Sequence, residues 1–97
     1  MSKIYVGQYS LQIRLTTGVD ITSASALLVK YKKPDGTEGS WTATEYDATT
    51  GVIYYDFTKA SELDQAGTWT FWAHVTFSDD RVAMGEPVTE KIYSEGK

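Results

Sequence analysis

His74 is the first residue to test for chemistry, because it is the only histidine in the chain. An imidazole acts as a general base when it lies between a nucleophile and an orienting carboxylate. The sequence contains no G-x-S-x-G motif that would present such a nucleophile. The pattern therefore predicts that the protein is not an enzyme. The alternative is a small hydrolase whose turnover would depend on His74 or on a pair of carboxylates.

The aspartates are the next candidates for chemistry, and they are scattered rather than grouped. They are Asp20, Asp35, Asp47, Asp56, Asp64, Asp79 and Asp80. No D-x-D-x-D-G calcium loop, phosphate-binding loop or G-x-G-x-x-G motif is present, and there is no cysteine to supply a thiolate ligand. The adjacent pair Asp79 and Asp80 predicts a tight hairpin turn rather than a cation site. We therefore predict no metal and no cofactor.

Side chains expected to point away from the core carry the stronger signal. These candidate partner-binding residues are Leu28, Tyr54, Trp72 and His74. Exposed aromatic side chains on a sheet indicate a protein contact or a platform on which sugars stack. The alternative is structural: a loop covers these side chains, or a bulge reverses the face on which one of them lies.

The elements that position these residues show a period of two. Residues 9–16, 26–33, 38–45, 52–58, 68–78 and 81–93 are predicted strands, the last interrupted at 85–87 by glycine and proline. Residues 61–64 have the character of a single helical turn, with Leu63 pointing into the core. About six or seven short strands with regular turns predict an all-β fold, specifically an immunoglobulin-like two-sheet antiparallel sandwich, with a small barrel as the main competitor.

Chain length and net charge limit the number of domains and the classes of binding partner. The chain of 97 residues predicts one domain over residues 1–97, with 1–7 and 94–97 as flexible ends. A net charge of −4 argues against nucleic acid as a partner. The one basic cluster, Lys30, Lys32 and Lys33, is interpreted as a solvated strand edge. No apolar run approaches the roughly 20 residues of a membrane span, so no membrane partner is predicted.

Two segments resemble a known family. Residues 11–21 are followed by Lys-Tyr-Lys-Lys-Pro-Asp-Gly at 30–36, and Leu63, Gly67 and Trp69 form an L-x-x-x-G-x-W corner before the longest strand. Together they resemble the N-terminal immunoglobulin-like domain of bacteriophage baseplate upper and tail-associated proteins. The resemblance implies a structural or adaptor role in a phage or prophage virion, made in the host cytoplasm. It also implies other virion proteins as partners and a homo-oligomeric arrangement in the particle. It transfers no catalytic residue.

A different functional class stays open at this point. A carbohydrate- or cell-surface-binding module would use Trp72 and Tyr54 as stacking surfaces, with nearby loop carboxylates as hydrogen-bond acceptors. It differs from the virion interpretation in requiring a saturable affinity for sugar.

Overall fold

A computed structural model describes residues 4–9, 11–59 and 61–94. Within these ranges the backbone forms strands and no helix. The described residues therefore include no helix that is long and apolar enough to cross a membrane. The strands are β1 Ile4–Tyr5, β2 Leu11–Thr16, β3 Ala24–Lys32, β4 Glu38–Thr42, β5 Thr44–Asp47, β6 Val52–Phe57, β7 Gly67–Phe77, β8 Val82–Met84 and β9 Val88–Tyr93.

The strands form two sheets. The large sheet has six strands in the order β1-β9-β7-β3-β4, with β8 pairing with β7, and the small sheet has three in the order β2-β6-β5. All pairs are antiparallel except β1 with β9. The predicted all-β, immunoglobulin-like two-sheet sandwich is confirmed. The strand β7 carries β3 along one edge, and β8 and β9 share the other, separated at the predicted glycine and proline interruption.

The strand predicted over residues 38–45 is in fact two strands in different sheets. The first part, β4, pairs with β3 in the large sheet, and the second, β5, pairs with β6 in the small sheet. The change of sheet occurs at Ala43, whose amide donates to the carbonyl of Leu27 at 2.9 Å and whose small side chain is buried. A bend of this kind is how a strand passes from one sheet of a sandwich to the other.

The prediction that residues 1–7 form a flexible end is wrong for the part that the structure describes. Ile4 and Tyr5 pair in parallel with Ile92 and Tyr93. The Val6 amide donates to the Tyr93 carbonyl at 2.8 Å, and Ile4 packs against the core. Backbone hydrogen bonds and apolar burial together hold this segment, although it is too short to show alternation in the sequence. Residues 1–3 and 95–97 lie outside the described residues.

The core lies between the sheets and is built from the inward halves of the alternating strands. Its largest fully buried side chains are Trp69, Phe71, Ile21, Ile53, Leu63, Ile92, Val29 and Val75. Trp41 of the large sheet stacks on Tyr55 of the small sheet, with ring centroids 5.0 Å apart and an interplanar angle of 6°. It also stacks on Tyr31 at 4.3 Å. Offset stacking of this kind adds roughly 0.5–1.5 kcal/mol to the energy of burial, so Trp41 joins the sheets.

The segment between β6 and β7 is a hydrogen-bonded turn rather than the predicted helical turn. The Glu62 amide closes the turn onto the Lys59 carbonyl at 3.2 Å. The Glu62 carboxylate accepts hydrogen bonds from the Thr58 amide at 2.8 Å, the Lys59 amide at 2.9 Å and the Tyr55 hydroxyl. Burial and this carboxylate raise the pKa of Tyr55 to about 12. The turn delivers Leu63 into the core, as predicted, where its side chain is 1% exposed.

Gly51 is the glycine whose replacement should cost most stability. It has φ of +78°, and an added Cβ would collide with the Val19 carbonyl and the Thr17 hydroxyl. We expect Gly51→Ala to lower the free energy of unfolding by about 2–4 kcal/mol, because left-handed strain and overpacking add. The control is Gly36→Ala, at φ of +90° with no atom within 4 Å, which should cost only about 1–2 kcal/mol. Urea unfolding measures both, and equal losses would contradict the steric argument.

Candidate functional site

The outer face of the large sheet carries three of the four predicted partner-binding residues. Because the odd-numbered residues of β7 from Trp69 to Phe77 are buried, Trp72 and His74 point outward. Leu28 lies opposite His74 on β3. On the other side, Met84 of β8 lies opposite His74, and Val82 lies opposite Thr76. We call the apolar set Leu28, Trp72, His74, Val82 and Met84 the outer patch.

The members of the outer patch differ in exposure. Met84 is 63% exposed and Val82 is 48% exposed, whereas Leu28, Trp72 and His74 are half-buried by their neighbours on the sheet. A row Leu28–His74–Met84 therefore crosses three adjacent strands, with Trp72 beside it. No described segment of the chain pairs with or hydrogen-bonds across this face. A continuous apolar surface of this kind, as opposed to a single exposed residue, indicates a contact site.

His74 contributes to the outer patch as a neutral, largely apolar ring. Its Nδ1 atom is buried and has no hydrogen-bond partner in the described part of the chain. Burial, with the nearby charge of Lys30, lowers the pKa of the imidazole below its ordinary value. No carboxylate of the described residues hydrogen-bonds to the ring to orient it as a base. The arrangement suits packing against a partner more than proton transfer.

Lysines border the outer patch, but not in the way the sequence predicts. They are not on a sheet edge, because β3 lies between β4 and β7. Lys30 is opposite Trp72, and Lys32 is opposite Thr70. Lys33 follows the strand and forms an ion pair with Asp64 at 3.0 Å. Glu38 of β4 lies opposite Lys32 on the same face, so Lys30, opposite Trp72, is the lysine that gives the apolar surface a positive charge.

Tyr54 does not belong to this site. It lies on β6 of the small sheet, opposite Arg14 on one side and Thr44 on the other. Its ring packs edge-on against Tyr46 at 6.2 Å, and the Arg14 guanidinium lies 4.2 Å from the Tyr46 ring centre. A sugar platform built jointly from Trp72 and Tyr54 is excluded, since the two side chains are on the outer faces of opposite sheets.

Met84 and Val82 are site residues that the sequence analysis missed. The sequence could not identify them, because the register of β8 depends on the number of residues in the turn. The Phe77 amide donates to the Arg81 carbonyl at 2.8 Å, and Asp80 takes φ of +71°. The hairpin therefore has a three-residue loop, 78–80, rather than the predicted tight turn of Asp79 and Asp80 alone. Counting outward from its centre at Asp79 places residue 84 opposite residue 74. The turn thus fixes which residues of β8 share a face with Trp72 and His74.

A second feature is a cavity of about 280 Å³ between the sheets, which opens between β2 and β9. Its walls are apolar and include Ile13, Leu15, Phe71 and Ile92. The polar residues of its lining are Gln12, Arg14 and Glu90. The volume is slightly below the range for small-molecule pockets, which begins at about 300 Å³.

Most of the aspartates have structural partners: several act in turns, Asp56 accepts from the Gln12 side-chain amide, and Asp64 pairs with Lys33. Asp20 accepts from the Thr22 hydroxyl and amide, Asp35 from the Thr37 amide at 2.9 Å, and Asp79 from the Arg81 amide at 3.2 Å. These hydrogen bonds lower the pKa of each carboxyl group. Among the described residues, no three histidine, cysteine, aspartate or glutamate side chains come together in a way that could hold a metal ion.

Comparison with known proteins gives a likeness of fold. The structure is similar to the crystal structure of CopC from Methylosinus trichosporium OB3b, with a TM-score of 0.59 and 11% sequence identity. The match covers 100% of this chain and 89% of CopC. No family model matches the sequence, and no curated protein matches it. At this level of identity the likeness establishes the sandwich fold alone.

The predicted virion function is wrong. The similar structure is CopC rather than a phage baseplate or tail protein, and no comparison supplies a phage relative. The motifs behind that prediction have structural roles here. Leu63 fills the core, the Trp69 indole donates to the Gln65 carbonyl at 2.9 Å, and a Cβ on Gly67 would strike the Pro34 ring. Any sandwich that turns this corner needs such residues, so they do not identify a function.

The buried imidazole makes stability depend on pH. Because the pKa of His74 is lower in the folded chain, the unfolded chain binds the proton more readily as pH falls below about 6.5. The free energy of unfolding should therefore decrease between about pH 7.5 and pH 5.5. Urea unfolding of the wild type and of His74→Gln tests this: the variant should lose less stability over the same interval. An equal decrease in both proteins would contradict the assignment to His74.

Proposed function

We propose that this protein is a non-enzymatic binding domain that holds a protein partner on the outer patch. The observation that carries the proposal is the Leu28–His74–Met84 row, which crosses three strands beside Trp72 on a face that no described segment covers. The catalytic alternatives lack support, since His74 has no orienting carboxylate among the described residues and most of the aspartates are engaged in turns, a cross-strand hydrogen bond or an ion pair.

The chemistry of the outer patch favours a protein over a small molecule. The patch is a sheet face with no enclosing walls, whereas small ligands are held in concave pockets. Tryptophan is enriched among the residues that dominate binding energy, and methionine adapts its shape to the surface it meets. Lys30 lies beside Trp72, so a partner with an apolar centre and an acidic residue at the matching position fits best.

A second copy of this chain is the other occupant that the same face would accept. A twofold contact would place one outer patch against its equivalent. Lys30 argues against it, because a twofold contact centred on Trp72 would bring the Lys30 side chains of the two copies towards each other. Sedimentation of the purified protein separates this arrangement from binding to a different partner.

The test begins with a photo-reactive amino acid placed at Val82, in the outer patch. Its matched control is the same amino acid at Val19, because the two residues are 48% and 45% exposed. We expect a covalent adduct with a distinct protein at position 82 in the producing cells and none at position 19. The same adduct at both positions, or none at either, would contradict the proposal.

Affinity for the captured partner then tests the residues directly. We expect Trp72→Ala to weaken binding about 30-fold or more, corresponding to roughly 2 kcal/mol for a central tryptophan. Tyr54→Ala is the control, since it removes an aromatic ring from the opposite sheet, and it should leave the affinity unchanged. Titration calorimetry with purified proteins measures both. Equal effects of the two substitutions would place the contact elsewhere.

A further inference from the structure

The strand β2 forms an edge of the small sheet. In the described part of the chain it pairs with β6 alone. The Thr17 amide donates to the Gly51 carbonyl at 2.8 Å, which sets the alternation of the antiparallel ladder. Gln12, Arg14 and Thr16 therefore direct their backbone N–H and C=O groups away from β6. Gly85 lies against the Thr16 carbonyl, which leaves the backbone groups of Gln12 and Arg14 without a strand partner.

The apolar cavity opens directly beside this edge. Ile13 and Leu15 of β2 form one wall, and Val88 and Ile92 of β9 form the other. The short strand β1 covers β9 only at Ile92 and Tyr93, so the opening extends along the rest of β9. Val88 is 42% exposed there. An open backbone edge with an apolar cavity beneath it is the arrangement that accepts an added strand.

Glu90 gives the opening a charge. It lies opposite Trp69 in the register of β7 and β9, on the inward side of the sheet. Among the described residues it forms neither an ion pair nor a side-chain hydrogen bond. Arg14 also lines the cavity, but its guanidinium lies over the Tyr46 ring and its Nε donates to the Gln12 side chain. The Glu90 carboxylate therefore favours a cation in whatever occupies the cleft.

We propose that the cleft between β2 and β9 binds an extended segment of a partner polypeptide as a fourth strand of the small sheet. The segment pairs with the backbone of Gln12 and Arg14, inserts alternate apolar side chains into the cavity, and places a lysine or arginine at Glu90. This site is separate from the outer patch and does not depend on the function proposed for that patch.

A second copy of this chain fits the cleft less well. Its own β2 already directs Leu11, Ile13 and Leu15 into its own core. Pairing of two β2 strands would therefore leave the cavity empty. It would also bring the Arg14 side chains of the two copies close together, with a repulsion that an unrelated segment avoids.

Amide hydrogen exchange provides the direct measurement, with a blocked peptide that alternates valine with threonine and carries one central lysine. In the free protein the Gln12 and Arg14 amides should exchange rapidly, and the peptide should slow both. Neighbouring Ile13, whose amide faces β6, should be protected before and after addition. Absence of new protection at about 1 mM peptide overturns the proposal. Protection of both amides in the free protein, whether or not it depends on protein concentration, overturns it as well.

Charge exchange tests the role of Glu90 without altering the strand edge. Glu90→Lys should weaken the lysine peptide at least tenfold and strengthen a matched peptide in which glutamate replaces that lysine. An unchanged preference overturns the contact with Glu90. Trp72→Ala should leave both affinities unchanged, which separates this cleft from the outer patch.

A backbone substitution tests strand addition itself. Arg14→Pro removes the outward N–H, and proline is tolerated where the N–H of an edge strand faces solvent. We expect this variant to lose the peptide, while Arg14→Ala, which keeps the N–H, retains it. If Arg14→Pro fails to fold by circular dichroism, the exchange and Glu90 measurements decide. Equal peptide affinity of the two folded variants overturns strand pairing.

Discussion

The two-sided pairing of β7 is the constraint on which the rest of the structure depends. Its 11 residues are paired with β3 along one edge and with β8 and β9 along the other, so the strand cannot rotate or slip. Five alternate side chains, from Trp69 to Phe77, fill the core. Those between them must then face outward, which exposes Trp72 and His74 and places the outer patch at the centre of the large sheet.

The same alternation explains which features of the structure could be predicted from the sequence. It identified β7 and predicted correctly that Trp72, His74 and Leu28 point away from the core. Alternation specifies the face of a strand but not the sheet to which the strand belongs, so Tyr54 was grouped with residues on the opposite side of the sandwich. Alternation also merged β4 and β5 into one predicted strand, because Ala43 continues the pattern of alternate burial while the backbone passes from one sheet to the other. Long-range pairing, which no local pattern encodes, placed Lys30 and Lys32 on a central strand.

The segments that suggested a phage relative show how a motif can be real and yet uninformative about function. Gly67 avoids the Pro34 ring, and Trp69 hydrogen-bonds to the Gln65 carbonyl. These contacts close one end of the sandwich. The residues that form them are therefore explained by the fold and do not indicate a function. The side chains that distinguish this protein are found elsewhere, at Met84 on the outer face and at Glu90 beside the cleft. Neither residue belongs to a sequence motif. Each could be recognised as a site residue only from the strand register and the burial of its side chain.

The parallel pairing of β1 with β9 has a mechanical consequence. Ile4 and Tyr5 run in the same direction as Ile92 and Tyr93, and the Val6 amide adds a bond to the Tyr93 carbonyl. A force that draws the beginning of β1 and the end of β9 apart along the strand axis acts across all of these hydrogen bonds at once. They are loaded in shear, together, rather than peeled one at a time as at the open end of a hairpin. This single two-residue ladder, with the added Val6 hydrogen bond, thus becomes the first element to resist tension between the two ends of the domain.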